Sequence, residues 1–302
     1  MSKLKSLPLV ALSALFGATV PSISKIALEV VSPIEALFIR VFLSSVLFVG
    51  LFVIIRKPYS FSILQKTWKF SLLLLINFVC MIVSLKYIPT ALIPVIYATV
   101  PVITVILNKI LHTEEKVSLE RIIGILLGFA GVFLATVSRG LSAVTMGVVF
   151  GVACILAGSV AFSLYTIISK KYQRSIHPLH LTFSATLVAT IFLLPVVGLN
   201  FIFAPQTLQF TLRHSSALLA TGLIGTVLFY SIYQYAIKHS DAVTASLFTY
   251  IQPLFAVALS VVLLGETVNM MFVMGTMTTL FGAYLATNKK VTSSQNIASP
   301  LR

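Results

Sequence analysis

The chain has 302 residues, 58% of them hydrophobic and 9% charged, and a formal net charge of +14. A soluble domain carries roughly 25% charged residues, so no water-soluble core accommodates this composition. The excess of basic residues is spread over short segments, which fits loops facing anionic lipid head groups and excludes nucleic acid as the partner.

In chain order, apolar runs of helical length are expected at roughly 7–24, 34–55, 69–87, 90–110, 119–137, 145–168, 179–199, 215–236, 242–264 and 268–287. Such runs match the thickness of a bilayer, so the expectation is an all-α integral membrane protein with ten transmembrane helices. The first run follows Lys3 and Lys5 and resembles a signal peptide. It has a partner in the second half, however: Ser24-Lys25 matches Ser169-Lys170, and Pro33 matches Pro178. A cleaved leader would not belong to a repeat. The connections are short, and the tail 289–302 is polar and expected to be disordered.

The repeat runs through the whole chain. Pro101 falls on Pro253 and Glu114 on Glu266; one residue is then lost, and Gly124 falls on Gly275 and Gly131 on Gly282. The closing segments read Gly-Val-Phe-Leu-Ala-Thr from Gly131 and Gly-Ala-Tyr-Leu-Ala-Thr from Gly282. The expected units are therefore 1–138 and 139–288, followed by the tail. Apart from Arg40 inside the second helix, sixteen Lys and Arg residues fall on the side of the termini and four on the other. The positive-inside rule then puts both termini in the cytoplasm of a cell (plasma or inner) membrane. Five helices per half force the two repeats to be inverted, the architecture in which a substrate site lies near the midplane and access alternates around it.

These residues resemble the EamA-like family of the drug/metabolite transporter superfamily. The resemblance is carried by Ser32-Pro33-x-x-Ala36-x-x-x-Arg40, by Tyr87-Ile88-Pro89 followed by Pro101, by Leu264-Gly265-Glu266 and by the two closing segments, over about residues 7–287. The chain departs from the pattern at His112-Thr113-Glu114, where a Leu-Gly-Glu type ending is expected, and at Ala185, which stands where the second repeat would duplicate Arg40. The resemblance implies a secondary carrier of small metabolites, often an exporter, and no cofactor.

Polar groups inside hydrocarbon are costly unless they face a partner or a wet cavity. Arg40 is the one fully charged residue well inside a span. It either reaches outward, to Glu35 or a loop carbonyl, or anchors a substrate carboxylate or phosphate. Asn77 and Ser84 on the third helix, Tyr97 and Thr99 on the fourth, Tyr230, Tyr233 and Gln234 on the eighth, and Tyr250 and Gln252 on the ninth are the other candidates. Tyr230, Tyr233 and Gln234 share a helical face, and the matched prolines Pro101 and Pro253 free backbone groups that only protein or water tolerates. The competing expectation is that hydroxyls bond their own helix and tyrosines belt the interface. Glu114 and Glu266 each precede a helix, where a carboxylate suits the positive end of the dipole.

An aromatic and amide cavity suits amphipathic solutes such as amino acids. The acids, including Glu29, Glu35, Glu115, Glu120 and Asp241, all fall at helix ends or in loops. The mid-membrane region therefore has no proton carrier, and facilitated diffusion or exchange is expected. A multidrug or nucleotide-sugar carrier is the alternative within the fold, though the latter wants more cavity cations. An integral membrane enzyme needs clustered acids or a metal, and a channel needs a filter; neither pattern is present. His177 and His180 lack a third metal ligand nearby in sequence, and Cys80 and Cys154 read as packing residues. Gly124, Gly128 and Gly131 suit close helix packing, within one chain or between two, so the molecule is a monomer or a homodimer.

Overall fold

The computed structural model describes residues 7–112, 119–138, 144–203, 211–240 and 242–287. Glu114, Glu115, Asp241 and the tail 289–302 lie outside the described residues. The described chain is helical throughout: α1 (Leu7–Ala27), α2 (Pro33–Ile54), α3 (Phe61–Ser84), α4 (Leu92–Tyr97), α5 (Val100–His112), α6 (Leu119–Val137), α7 (Met146–Tyr172), α8 (Pro178–Phe203), α9 (Leu212–Gly222), a π-helical segment (Leu223–Leu228), α10 (Phe229–His239), α11 (Ala242–Ser246), α12 (Phe248–Leu264) and α13 (Met270–Thr287). Among the described residues, eight stretches are long and apolar enough to cross a membrane, taking α4–α5, α9–α10 and α11–α12 as single spans, and two shorter apolar helices, Ile122–Val137 and Met270–Leu285, complete ten.

Local sequence sets several helix starts. Ser32 caps α2 in a reciprocal box with Glu35, and Pro33 occupies the first turn, where its missing N–H costs nothing. Thr145 and Thr211 cap α7 and α9. Gly265 ends α12 at φ 66°, the left-handed conformation in which a side chain is strained. The outer surface is apolar, with Val53, Ile54, Leu126, Phe133 and Val262 exposed. Many buried hydroxyls donate to the carbonyl one turn back in their own helix, as at Ser13, Thr67, Ser71, Thr104 and Ser159. Polar groups inside and apolar groups outside is the arrangement that hydrocarbon demands.

Two inverted five-helix repeats make up the bundle, α1–α6 and α7–α13. A two-fold operation that exchanges them exchanges their contacts. The packing of α3 on α7 becomes that of α10 on α1, α1 on α12 becomes α7 on α5, and α3 on α8 becomes α9 on α2. Helices α6 and α13 pack on each other across the axis through glycines. A Cβ on Gly131 would lie 2.6 Å from the Gly275 oxygen, and one on Gly282 would lie 2.6 Å from the Gly124 oxygen. Gly124 and Gly275 are repeat mates, as are Gly131 and Gly282, so the two close approaches are images of one another. These glycines tighten packing within one chain.

Three features depart from the expected spans. The fourth span breaks after Tyr97, so that α4 and α5 are separate helices. The ninth breaks at Leu247, whereas Pro253 sits inside α12; the prolines match between repeats, but the breaks do not. The eighth span contains the π-helical segment, whose wider turns displace backbone carbonyls from the regular ladder.

A candidate solute cavity between the repeats

Near the middle of the spans, α1, α2, α3, α4, α7, α10 and α12 surround a hollow between the repeats. Five polar side chains line it: Arg40, Asn77, Tyr97, Tyr230 and Gln252. Its walls are the rings of Phe78, Phe162, Phe229 and Phe248, with Gly17 and Pro21 of α1 closing one side. The centres of waters have about 40 Å³ to occupy, room for about three of them.

Arg40 is 2% exposed, so it neither reaches outward nor meets Glu35. Its Nε donates to Thr226 Oγ1 at 2.7 Å and its Nη2 to the Gly225 oxygen at 2.9 Å. Both acceptors belong to the π-helical segment. Ser44, one turn along α2, shares its hydroxyl hydrogen between the Arg40 oxygen at 2.7 Å and the Gly222 oxygen at 3.1 Å. Arg40 and Ser44 thus satisfy carbonyls around the distorted turn. Nη1 has no partner among the described residues, and the guanidinium carbon lies 4.8 Å from the centre of the Phe78 ring, a cation–π distance. Glu35 instead closes the cap of α2 and accepts from Asn200 at 3.1 Å.

The break after α4 places Tyr97 on the cavity. Asn77 fixes it, donating to the Tyr97 hydroxyl at 2.6 Å and to the Gly158 oxygen at 3.0 Å, which uses both amide hydrogens. Tyr230 lies edge-on to Phe78 and to Phe229. The Gln252 amide makes no hydrogen bond among the described residues.

The remaining candidates sit elsewhere. Thr99 donates to the Ile96 oxygen of its own turn, and Ser84 to the Met81 oxygen. The Tyr250 hydroxyl reaches the Ala283 oxygen of α13. Tyr233 and Gln234 lie one turn beyond Tyr230, in a layer that seals the bundle towards the end where α1 begins. There Gln234 Nε2 donates to the Tyr165 hydroxyl at 2.6 Å and to Ser169 at 3.2 Å, while Gln173 donates to the Gln234 side-chain oxygen at 2.5 Å. The Tyr233 and Thr166 hydroxyls are 2.7 Å apart. Lys170 donates to the Ile237 and Lys238 oxygens.

At the opposite end, Lys25 donates to the Leu85 oxygen. Lys25 and Lys170 are repeat mates and so are Leu85 and Ile237, so one contact appears at both ends of the molecule. Glu266 does not serve the helix that follows it. Its carboxylate accepts from Thr90 N at 2.8 Å, Thr90 Oγ1 at 2.7 Å and Ala91 N at 3.0 Å, across the repeat boundary at the start of α4.

Sequence reasoning by polarity passed over the phenylalanines and Gly17. The density of rings around Tyr230 and the Gly17–Pro21 pair in α1 were the available signals. Among the described residues, no three His, Cys, Asp or Glu side chains gather as a metal site would require.

The sequence profile of the EamA-like transporter family matches residues 4–137 and 149–288, one match to each repeat. The chain belongs to the EamA-like transporter family. An uncharacterized transporter of Archaeoglobus fulgidus is 22% identical over 93% of this chain and 98% of its own length. A second from the same organism is 26% identical over 57% of this chain, a match that spans 58% of that protein. A crystal structure of a protein with 16% identity superposes over 99% of this chain and all of its own with a TM-score of 0.70, so the two share a fold. The cavity therefore belongs to a multi-pass membrane protein of a transporter family.

Proposed function

We propose that the chain is a secondary carrier that moves small amphipathic metabolites, amino acids or their relatives, by alternating access, as an exporter or exchanger. The observation that carries this reading is the hollow itself. It lies between inverted repeats, is lined by both, and is sealed by a hydrogen-bonded layer on one side. Rocking one repeat against the other exposes such a site first to one face and then to the other. Aromatic faces accept the cationic or apolar part of a solute, while a few polar groups orient it. One cation among the described lining residues is too few for a nucleotide diphosphate. None of the described carboxylates lines the hollow, so the expected cycle is exchange or facilitated diffusion without a buried proton relay. On this reading the chain catalyses no covalent chemistry, its termini are cytoplasmic and it resides in the plasma or inner membrane.

Counterflow in proteoliposomes tests it. Vesicles preloaded in turn with amino acids, nucleotides and cationic drugs should show accelerated uptake of labelled amino acids only when the same class is inside. Absence of trans-stimulation for every class, with the protein folded, removes the carrier reading. Uphill uptake driven by external acidification alone removes the uncoupled cycle.

A further inference from the structure

We propose that Arg40 Nη1 is the recognition point for a carboxylate, and that the solutes the cavity holds carry one carboxylate at that end. A guanidinium stays protonated in proteins and offers five N–H donors in a fixed fork. Here two of the five are used: Nε and Nη2 are held by Thr226 and Gly225, while Nη1 is buried without a partner among the described residues. The two bonds are made to neutral oxygens, so the charge has no counter-ion among the described residues. The described carboxylates are committed elsewhere: Glu29 to Arg213 and His214, Glu35 to the α2 cap and Asn200, and Glu266 to Thr90 and Ala91. A buried cation without a counter-charge is expensive, and a solute anion in the adjoining hollow supplies what the fold withholds.

The neighbouring donors favour a monoanion. The Tyr97 hydroxyl already accepts from Asn77, which leaves its own hydrogen to donate, and the Tyr230 hydroxyl and the Gln252 amide have no hydrogen-bond partner among the described residues. One guanidinium nitrogen with two hydroxyls matches the two oxygens of a carboxylate. A phosphate dianion would want a second cation, and none lines the hollow among the described residues. The rings of Phe162 and Phe248 are then left for an apolar group or an ammonium.

This deepens the carrier reading, and its test is chosen so that the two fail separately. Binding is measured by thermal melting of the purified full chain in detergent with phenylalanine, phenylacetate, phenylalaninamide, phenethylamine and inorganic phosphate; flux is measured independently in vesicles. Phenylalanine and phenylacetate should stabilise the wild type, with apparent affinities at least tenfold above those of the amide and the amine, and phosphate should not compete. Arg40→Gln should abolish the preference for the carboxylate, and Arg40→Lys should weaken it about tenfold. Tyr230→Phe keeps the Arg40 bonds to Thr226 and Gly225, and so tests the site if Arg40→Gln fails to fold; it should weaken carboxylate binding severalfold. Equal binding of acid and amide, a preference that survives Arg40→Gln, unchanged carboxylate affinity in Tyr230→Phe, or no carboxylate binding overturns the proposal. Carboxylate binding without flux would leave Arg40 its role and remove only the carrier.

Discussion

Asn77 and Gln252 are both amides on the cavity wall, yet they differ in what they hold. Asn77 spends both amide hydrogens on Tyr97 and Gly158, whereas Gln252 has no partner among the described residues. Removing a buried donor that satisfies others costs about 1–3 kcal/mol, so Asn77→Ala should lower the melting temperature measurably while Gln252→Ala stays near wild type. Gln252→Ala should reveal itself in counterflow, as a loss of apparent affinity. If Gln252→Ala also melts early, the residue is structural and does not wait for a solute. His177, outside the spans, permits a pH prediction. It is half-buried beside Lys57, with Tyr235 3.4 Å away and His180 and Lys238 nearby. Burial first, then the charge of Lys57, with His180 and Lys238 adding less, push its pKa below the ordinary value. The unfolded chain therefore binds the proton more readily than the folded one, and stability rises with pH wherever that difference exists. It is fully present above the ordinary histidine pKa of about 6.5 and declines as the pH falls through the lowered value. His177→Gln should flatten the fall in melting temperature between neutral pH and pH about 5; an unchanged slope would assign it to other groups.

The elements separate what the sequence can declare from what only packing decides. Span positions follow from hydropathy, because a helix in lipid is apolar wherever it touches lipid. The repeat was readable from Pro101 and Pro253 and from the glycine pairs, because close crossing admits no side chain on either copy. The interruptions were not readable. Thr226 and Gly225 adopt π-helical turns where Arg40, from a distant helix, bonds the Thr226 hydroxyl and the Gly225 carbonyl, and the local residues Leu223–Leu228 carry no mark of this. The same limit applies to the cavity. Tyr230, Tyr233 and Gln234 share a face, but the hollow is one turn deep, so the first lines it and the other two close it. Helical spacing reports direction around an axis and is silent about depth along it. The glycine crossing of α6 and α13 makes its own prediction. A Cβ at Gly275 would sit 2.8 Å from the Gly131 oxygen and 2.5 Å from Ala135 N, and backbone does not yield as a flexible side chain does. Gly275→Ala should cost at least about 1–3 kcal/mol, seen as a lower melting temperature, whereas Gly128→Ala, which meets open space, should cost little. Equal effects at the two positions would show that the crossing is looser than its geometry.

Across the whole molecule, the inverted repeat implies that what closes one end has a counterpart that closes the other. The Lys25 contact with Leu85 and the Lys170 contact with Ile237 are such a pair, and each end adds its own fastening: Gln173 with Gln234 towards the termini, Glu266 with Thr90 and Ala91 at the opposite end. A ligand or mutation shifts a two-state equilibrium only through a difference between the states, so weakening one fastening favours opening at that end alone. Val20 lines the cavity and can carry a reporter, as Val20→Cys in a chain whose Cys80 and Cys154 are replaced by alanine. In vesicles of defined orientation, an impermeant thiol reagent reaches this cysteine from whichever side is open. Gln173→Ala should speed labelling from the side of the termini and slow it from the other. Glu266→Gln, which loses charge-assisted bonds worth about 1.5–3 kcal/mol each, should do the reverse. Rates that rise on both sides in either variant would describe a bundle that loosens as a whole, and the fastenings would then be packing contacts and not gates. Rates that move in opposite directions would make the symmetry of the sequence a symmetry of the transport cycle.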